Sequence, residues 1–175
     1  MHIRDLSYQE SIEILKRARL GRLACACDGQ PYVTPAYLAF ESSYLYGFSS
    51  VGRKVTWMRE NPLVCVEFDE LVSPQNWATV IIEGKYQELP KTPEFDNARG
   101  YAYELLQRCP VWWEPAYVKT TLQGHERPIE PVYFRIQIEK ISGHRGVPEA
   151  SPEAPTRWMR KLLSGGKRKL FAGDA

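Results

Sequence analysis

Residues Gly47 to Pro62 read GFSSVGRKVTWMRENP and join the end of a strand to the start of a helix. The aromatic residues of YLYGF (Tyr44–Phe48) predict the strand. The adjacent cations Arg53 and Lys54 then open a segment that we expect to be helical as far as Asn61. Two positive side chains are therefore predicted beside a helix start.

This stretch has the chemistry of a site for a phosphate group, and we call residues 49–54 the phosphate corner. Ser49 and Ser50 supply hydroxyl donors, and Gly52 supplies a flexible backbone. Free N–H groups and the dipole at a helix start favour an anion, and an Arg and a Lys match its charge. The alternative is an ordinary loop in which Arg53 and Lys54 are solvated.

Composition predicts a soluble globular protein. The chain has 175 residues, of which 43% are hydrophobic and 25% charged, and its net charge is +2. This charge balance does not call for a nucleic-acid partner. No apolar run has the length of a membrane span and no basic N-terminal signal is present, so we expect a cytoplasmic protein.

We assign no metal site and no catalytic side chain from the sequence. The four cysteines are too few for a disulfide framework and are expected to be reduced thiols: Cys25, Cys27, Cys65 and Cys109. A CxC without a second pair or a nearby histidine is a weak metal signal. The three histidines are expected in a terminus, a loop and a linker, where they are solvated: His2, His125 and His144.

The first hundred residues predict a helix followed by strands. Ser7 and Glu10 have the spacing of a capping box, which predicts a helix from about Tyr8 to Arg19. GRLACAC (residues 21–27) then predicts a strand, Asp28-Gly29 a hairpin turn, and YVTPAYLAF (residues 32–40) the returning strand. Further strands are predicted at Leu63–Phe68 and at Trp77–Leu89, the longest, with a loop at Leu71–Gln75 and a bulge at Gly84.

Two residues of these strands suggest a ligand. Pro35 lacks the ladder N–H, so its strand is expected to be bulged, to lie at an edge, or to turn its backbone to a ligand. Trp77, at the start of its strand, either covers a flat ligand or packs against the strand end.

The second half of the chain predicts one helix, one strand and a tail. Thr92 and Pro93 are expected to cap and begin a helix over residues 94–108, and Val132–Ile141 is the final strand. Residues 110–115 form an apolar connector, either a subunit interface or a lid. From Ser142 the composition predicts a linker to Pro155 and then a basic tail, which divides the chain into residues 1–142 and 143–175.

Six strands joined mostly by short turns, with three helices between them, predict a mainly β (α+β) fold. We expect a six-stranded antiparallel sheet closed into a small split barrel, with the helices packed outside it.

Four pieces in this order resemble the pyridoxamine 5′-phosphate oxidase-related flavoproteins, the FMN-binding split β-barrels. The pieces are GRLACACDGQPYVTPAY, LYGFSS, GRKVTWMRENPLVCVEFD and NWATVIIEGKYQEL. The resemblance implies a homodimer with FMN at two interface sites. It also implies that the cofactor is contacted by Val33, Thr34, Pro35 and Ala36 at its ring or ribityl chain, by Phe48, Ser49, Ser50, Arg53 and Lys54 at its phosphate, and by Trp77 and Thr79, on a strand that the partner subunit can supply.

The sequence departs from the true vitamin B6 oxidases of that group. A phosphate-binding arginine and a substrate-binding lysine of those enzymes correspond to Thr34 and Ala39 here, and their C-terminal Arg-x-His substrate motif has no clear counterpart because His144-Arg145 has the reverse order. The resemblance therefore implies an FMN-dependent oxidoreductase for another small organic substrate, with a nicotinamide donor or oxygen completing the cycle. The alternatives are a non-catalytic flavin- or haem-binding protein and an F420-dependent reductase.

Overall fold

The structure is a computed structural model that describes residues 1–108, 120–122, 125–127 and 131–149. These residues form three helices, α1 (Tyr8–Arg17), α2 (Arg53–Glu60) and α3 (Asp96–Gln107). They also form nine strands: β1 (His2–Asp5), β2 (Leu20–Cys27), β3 (Gln30–Glu41), β4 (Tyr44–Ser50), β5 (Leu63–Ser73), β6 (Asn76–Glu88), β7 (Thr120–Leu122), β8 (His125–Arg127) and β9 (Pro131–Val147).

Six of the strands form a closed antiparallel ring. Hydrogen-bonded neighbours follow the order β9-β4-β3-β2-β5-β6, and β6 pairs again with β9 to close it. β1 adds to the outer part of β9, while β7 and β8 form a separate hairpin. The expected six-stranded split barrel with peripheral helices is confirmed.

Alternation along the strands directs one set of side chains into the ring. Leu23, Val66 and Ile82 are fully buried on adjacent strands and belong to the main core, together with Ile14 and Leu15 of α1. Burying each such side chain stabilises the fold by about 1.5–3 kcal/mol. A second cluster lies outside the ring, where α3 covers the outer face of β3, β4 and β9. The ring therefore leaves the outer faces of β2, β5 and β6 without a covering helix in the described part of the chain.

Local signals placed the first elements correctly. The Ser7 hydroxyl accepts from the Glu10 backbone N–H and the Glu10 carboxylate accepts from the Ser7 N–H, so the capping box is confirmed. Asp28 and Gly29 have φ values of 49° and 76°, which makes the two-residue turn between β2 and β3. α1 ends at Arg17, two residues earlier than predicted.

Several predicted boundaries were wrong. β5 extends to Ser73, so most of the predicted 71–75 loop is strand, and β9, with 17 residues, is longer than β6. Thr92 and Pro93 precede α3, which begins at Asp96 after the N-cap residue Phe95. Long β pairing overrode the local loop signals in the first case.

The predicted linker was wrong over residues 142–147, which belong to β9. There they pair with β6 on one side and with β1 on the other. His144 therefore lies in a strand, as does His125, in β8. The division of the chain at residue 142 stays a prediction, and both the 110–115 connector and the basic tail lie outside the described residues. Among the helices that the structure describes, none combines the length and apolar character that a bilayer crossing needs.

Candidate functional site

Helix α2 carries the two cations of the phosphate corner and is fixed against the end of β2. Val55 and Met58 bury its inner face. At its end the Asn61 side chain donates to the Ala26 carbonyl at 3.0 Å, and the Cys27 thiol donates to the Glu60 carboxylate at 2.9 Å. Both hydrogen bonds join the C-terminal end of α2 to the end of β2 and hold the helix in one orientation, which sets where its first residues point.

Arg53 lies against two aromatic rings. Its guanidinium carbon is 5.4 Å from the Tyr32 ring centroid and 5.8 Å from that of Trp57. The two rings meet edge to face at 5.8 Å. Such cation–π contacts orient a guanidinium without neutralising it, and Arg53 has no carboxylate partner among the described residues. Its charge is therefore available to an anion.

Lys54 is a half-buried cation, also without a carboxylate partner in the described part of the chain. Burial lowers the pKa of its ammonium group, and the nearby Cys25 thiol opposes that change. Burial in turn raises the pKa of Cys25, and Lys54 moderates the effect. Removing an ammonium group from water without a counter-charge is unfavourable, so an anion at this position would stabilise Lys54.

The predicted phosphate contacts at the end of β4 differ in burial. Ser49 is buried, and its hydroxyl donates to the Ser50 carbonyl at 2.9 Å, whereas Ser50 itself is exposed. Phe48 packs against Tyr133. Gly52 has an extended backbone with φ of −171°, which any residue adopts, so the special flexibility expected of this glycine is not required.

Pro35 lies at an open sheet edge. The Leu38 N–H donates to Arg19 on the β2 side, and because antiparallel ladders alternate, the nitrogen of Pro35 points away from β2. On the side of β3 opposite β2, β4 pairs only with Leu38 to Glu41. Beside Pro35 that side therefore has no neighbouring strand among the described residues. The prediction of an edge position is confirmed.

The residues predicted to contact the ring divide between two faces of β3. Val33 and Pro35 are exposed on the outer face, while Thr34 and Ala36 point inward, where Ala36 joins the core. Tyr32 also points inward and contacts Arg53, so the edge of β3 and the phosphate corner are neighbours.

Trp77 and Thr79 lie far from that corner within one chain. They pair with Gly146 and His144 at one end of β9, whereas Ser50 pairs with Pro131 at the other end. The Trp77 indole lies across Gly146, where an added Cβ would be 2.6 Å from its Nε1.

A continuous outer sheet face nevertheless joins Trp77 and Thr79 to β3. Cross-strand partners share a face, and Pro35 pairs with Arg22, Arg22 with Glu67, and Glu67 with Ile81. Ile81 lies on the same face as Thr79, two residues away. Val33 and Ile81 are among the large apolar side chains exposed on this face.

The aromatic support of Arg53 was not predicted from the sequence. Trp57 was not assigned a role, although it follows Arg53 by four residues and so shares its helix face. That spacing was the available signal for Trp57, whereas the contact with Tyr32 depends on how β3 meets α2. No group of three or more potential metal ligands occurs in the residues that the structure describes.

Comparison with known proteins identifies the family. The family model described as pyridoxamine 5′-phosphate oxidase matches residues 7–145, which is most of the chain. This chain belongs to the pyridoxamine 5′-phosphate oxidase family. The match includes the whole ring except the last residues of β9, and it includes the phosphate corner.

Relatives of this family member include flavin-binding proteins. The crystal structure of an FAD-binding protein from Mesorhizobium loti is 39% identical, with 85% of this chain and 99% of that chain covered and a TM-score of 0.69. An uncharacterized protein from Rhizobium meliloti (strain 1021) is 36% identical over 143 residues, which are 82% of this chain and 95% of the relative. The FAD binding protein from Mycobacterium smegmatis is 18% identical, with 81% of this chain and 98% of that chain covered, and it shares the fold with a TM-score of 0.55.

Proposed function

We propose that this member of the pyridoxamine 5′-phosphate oxidase family is a flavin-dependent oxidoreductase whose phosphate corner binds the phosphate group of FMN. The observation that carries the proposal is the pair of neighbouring cations, Arg53 and Lys54, without carboxylate partners in the described chain. One is held by aromatic rings and the other is half-buried. A dianionic phosphate would match both charges.

The open edge beside Pro35 supports a position for the flavin ring. Val33 and Pro35 present exposed backbone and side chains next to the corner, and Thr34 and Ala36 support them from inside. Because a flavin ring system carries carbonyl and N–H groups along one side, a strand edge with free backbone groups suits it. When bound, the isoalloxazine ring accepts a hydride or single electrons.

A homodimer would account for the remaining contacts. Trp77 and Thr79 lie at the opposite end of β9 from the corner, so they would reach the flavin of a partner subunit. The uncovered outer face, with exposed Val33 and Ile81, would pack against a second copy. The proposed substrate is a small, flat organic molecule, with a nicotinamide donor or oxygen as the second reactant.

Two positions that correspond to a phosphate-binding arginine and a substrate-binding lysine of the pyridoxine phosphate oxidases carry uncharged residues in this chain. Thr34 and Ala39 stand where that reaction would need cations, and Ala39 is buried in the apolar cluster under α3. Charged groups in that cluster would be unfavourable without partners. We therefore propose a substrate other than a vitamin B6 phosphate.

The double substitution Arg53→Ala with Lys54→Ala tests the proposal. We expect the purified variant to remain folded but to retain less than about a tenth of the bound flavin, because two charge-assisted contacts are lost. The visible spectrum and mass spectrometry of the released molecule measure this, and the wild-type protein is expected at twice the chain mass in light scattering.

The matched control removes an adjacent exposed lysine and arginine on α1, as Lys16→Ala with Arg17→Ala, and should keep the wild-type spectrum. Stoichiometric flavin in the Arg53/Lys54 variant would contradict the phosphate assignment. Oxidation of reduced nicotinamide in the presence of an electron acceptor then separates an enzyme from a flavin-binding protein without turnover.

A further inference from the structure

A cleft of about 360 Å³ lies beside α3, on the outer face of the sheet where β9 begins. Among the described residues its walls include Lys91, Asp96, Arg99, Tyr103, Pro131 and Tyr133. Tyr133 belongs to the outer cluster under α3, whereas Tyr32, which contacts Arg53, points into the ring. The cleft is therefore separate from the phosphate corner, and none of its residues has a role in the function proposed above.

The cationic group in the wall of this cleft has no counter-charge. Four arginines of the described chain form ion pairs with carboxylates, namely Arg4, Arg17, Arg22 and Arg59. Arg99 is half-buried and lies instead over an aromatic ring, with its guanidinium carbon 4.6 Å from the Tyr133 centroid. It has no ion-pair partner among the residues that the structure describes. Because a ring orients a guanidinium without neutralising it, the cleft favours an anion.

The Arg99 guanidinium is fixed in a plane but is not fully used. Its Nη1 donates to the Leu89 carbonyl at 3.0 Å, and within the described part of the chain this is its one hydrogen bond. The Leu89 carbonyl and the Tyr133 ring together hold the group in place. Its Nε and Nη2 groups remain available to a ligand, and a carboxylate accepts two parallel hydrogen bonds from such an edge.

The charged groups of the cleft match an anion with a single negative charge. Lys91 and Asp96 are exposed, and neither has an ion-pair partner among the described residues. Asp96 precedes Arg99 by three residues on α3, so both lie on one flank of the helix. Two cations and one carboxylate leave one net positive charge. A phosphate monoester carries about −1.5 to −2 near pH 7, so it would exceed that charge and be repelled by Asp96.

The remaining surface of the cleft is apolar and suits a planar group. Tyr103 follows Arg99 by four residues on α3, so it stands beside Arg99, and its side chain is 41% exposed. Pro131 is half-buried on the facing strand. Ligand pockets of this kind combine apolar walls with a few polar groups that fix the orientation of the ligand, and a tyrosine face packs well against an aromatic ring.

We propose that this cleft is a second ligand site, which binds a small aromatic monocarboxylate. Arg99 accepts the carboxylate in its fork, and Lys91 adds positive charge at the rim. Tyr103 and Pro131 pack against the aromatic ring. Asp96 makes the site selective for a single negative charge. This site does not depend on the flavin site, so it stands or falls independently of the proposed function.

Isothermal titration of the purified full-length protein with naphthoate tests the inference. Naphthamide has the same shape without the charge, and naphthyl phosphate carries the larger charge. We expect one naphthoate to bind per chain, at least about tenfold more tightly than either of the other two compounds.

Variants of Arg99 show whether the fork binds the carboxylate. Arg99→Gln should weaken naphthoate binding by at least about tenfold, because the charged fork is lost. Arg99→Lys keeps the charge and a donor for Leu89 but has no fork, so it should weaken binding by about fivefold. Arg108→Gln, at the exposed end of α3, is the matched control and should leave naphthoate binding unchanged.

Asp96→Asn tests the charge selectivity with an exposed residue whose substitution leaves the packing intact. Removing this carboxylate raises the net charge of the cleft to that of two cations. We therefore expect naphthyl phosphate to bind about fivefold more tightly or better, while naphthoate binding changes by less than about threefold.

Several results would overturn the proposal. Equal binding of naphthoate and naphthamide would show that the carboxylate is not recognised, and tighter binding of naphthyl phosphate to the wild-type protein would show that the site takes dianions. Naphthoate that binds Arg99→Gln and Arg99→Lys like the wild type, but is lost when bound flavin is removed, would lie over the flavin instead of in the cleft. If circular dichroism shows that Arg99→Gln is unfolded, the Arg99→Lys and Asp96→Asn results decide.

Discussion

At the scale of single residues, Cys27 illustrates how one contact sets reactivity. Its thiol donates to the Glu60 carboxylate at 2.9 Å. This hydrogen bond, with smaller effects of burial and of Asp28, raises the pKa of Cys27 from 9.0 to about 11. Since the thiolate is the reactive form, we expect Cys27 to react slowly with alkylating and oxidising agents near neutral pH. The same contact fixes the end of α2.

We expect Glu60→Gln to make Cys27 more reactive. Glutamine still accepts a hydrogen bond but carries no charge, so the pKa of the thiol falls toward its usual value and the thiolate fraction at pH 8 rises about tenfold or more. The rate of iodoacetamide labelling, followed by mass spectrometry of the peptide that contains Cys27, measures this. Cys65 serves as the internal control. An unchanged labelling rate at Cys27 would show that Glu60 does not stabilise the protonated thiol of Cys27.

At the scale of elements, the start of α1 depends on an ionised carboxylate. Glu10 accepts from the Arg4 guanidinium at 2.6 and 3.0 Å and from the Ser7 N–H at 2.9 Å. The Arg4 hydrogen bonds, followed by those with Ser7, lower the pKa of Glu10 from 4.5 to about 2. Because the pKa of Glu10 is lower in the folded chain, its ionised carboxylate stabilises the fold at pH values above the pKa of the unfolded chain. This stabilisation is lost as the pH falls toward 2.

Glu10→Gln is therefore expected to lower the Tm at pH 7, and the difference in Tm from wild type should become smaller as the pH falls. The difference from wild type should be constant between pH 5 and 7 and should narrow as pH falls below 4.5, because wild-type Glu10 then becomes protonated in the unfolded chain. Thermal unfolding followed by circular dichroism measures it. Glu104→Gln, on an exposed position of α3, is the comparison variant, and a pH-independent difference would refute the assigned role.

At the scale of the whole molecule, closure of the ring depends on a tight approach at Gly84. The register between β6 and β9 shifts between Glu83 and Gly84, which confirms the bulge predicted from the sequence. A Cβ at Gly84 would lie 2.5 Å from the Gln137 carbonyl oxygen and 2.8 Å from the Ile136 side chain. The backbone oxygen cannot move away without disturbing the seam that closes the ring.

Gly84→Ala is expected to destabilise the protein by about 1–3 kcal/mol, the usual effect of forcing an extra carbon into a packed site. Gly100→Ala is the matched control, because Gly100 lies within α3 with no atom near its Cβ position. There the same change should stabilise by about 0.5–1 kcal/mol. Urea unfolding measures both, and equal effects would mean that the seam tolerates a side chain.

Local chemistry explains which parts of this architecture were predictable. The capping box at Ser7, the Asp28-Gly29 turn and the proline in β3 each act through neighbouring residues, so the sequence alone predicts them. β1 was not predicted, because its four exposed residues show no alternation and depend on β9. The composition of the corner was visible, but the separation of Trp77 from it depends on strand register between distant segments.

Trp77 and Thr79 lie at the opposite end of β9 from Ser50, so the yellow colour of the proposed flavin complex would depend on protein concentration. A proposed site divided between two chains obeys mass action twice, once for the ligand and once for the protein itself. At protein concentrations below the association threshold of the pair, half-sites predominate, and even excess flavin would be held only weakly.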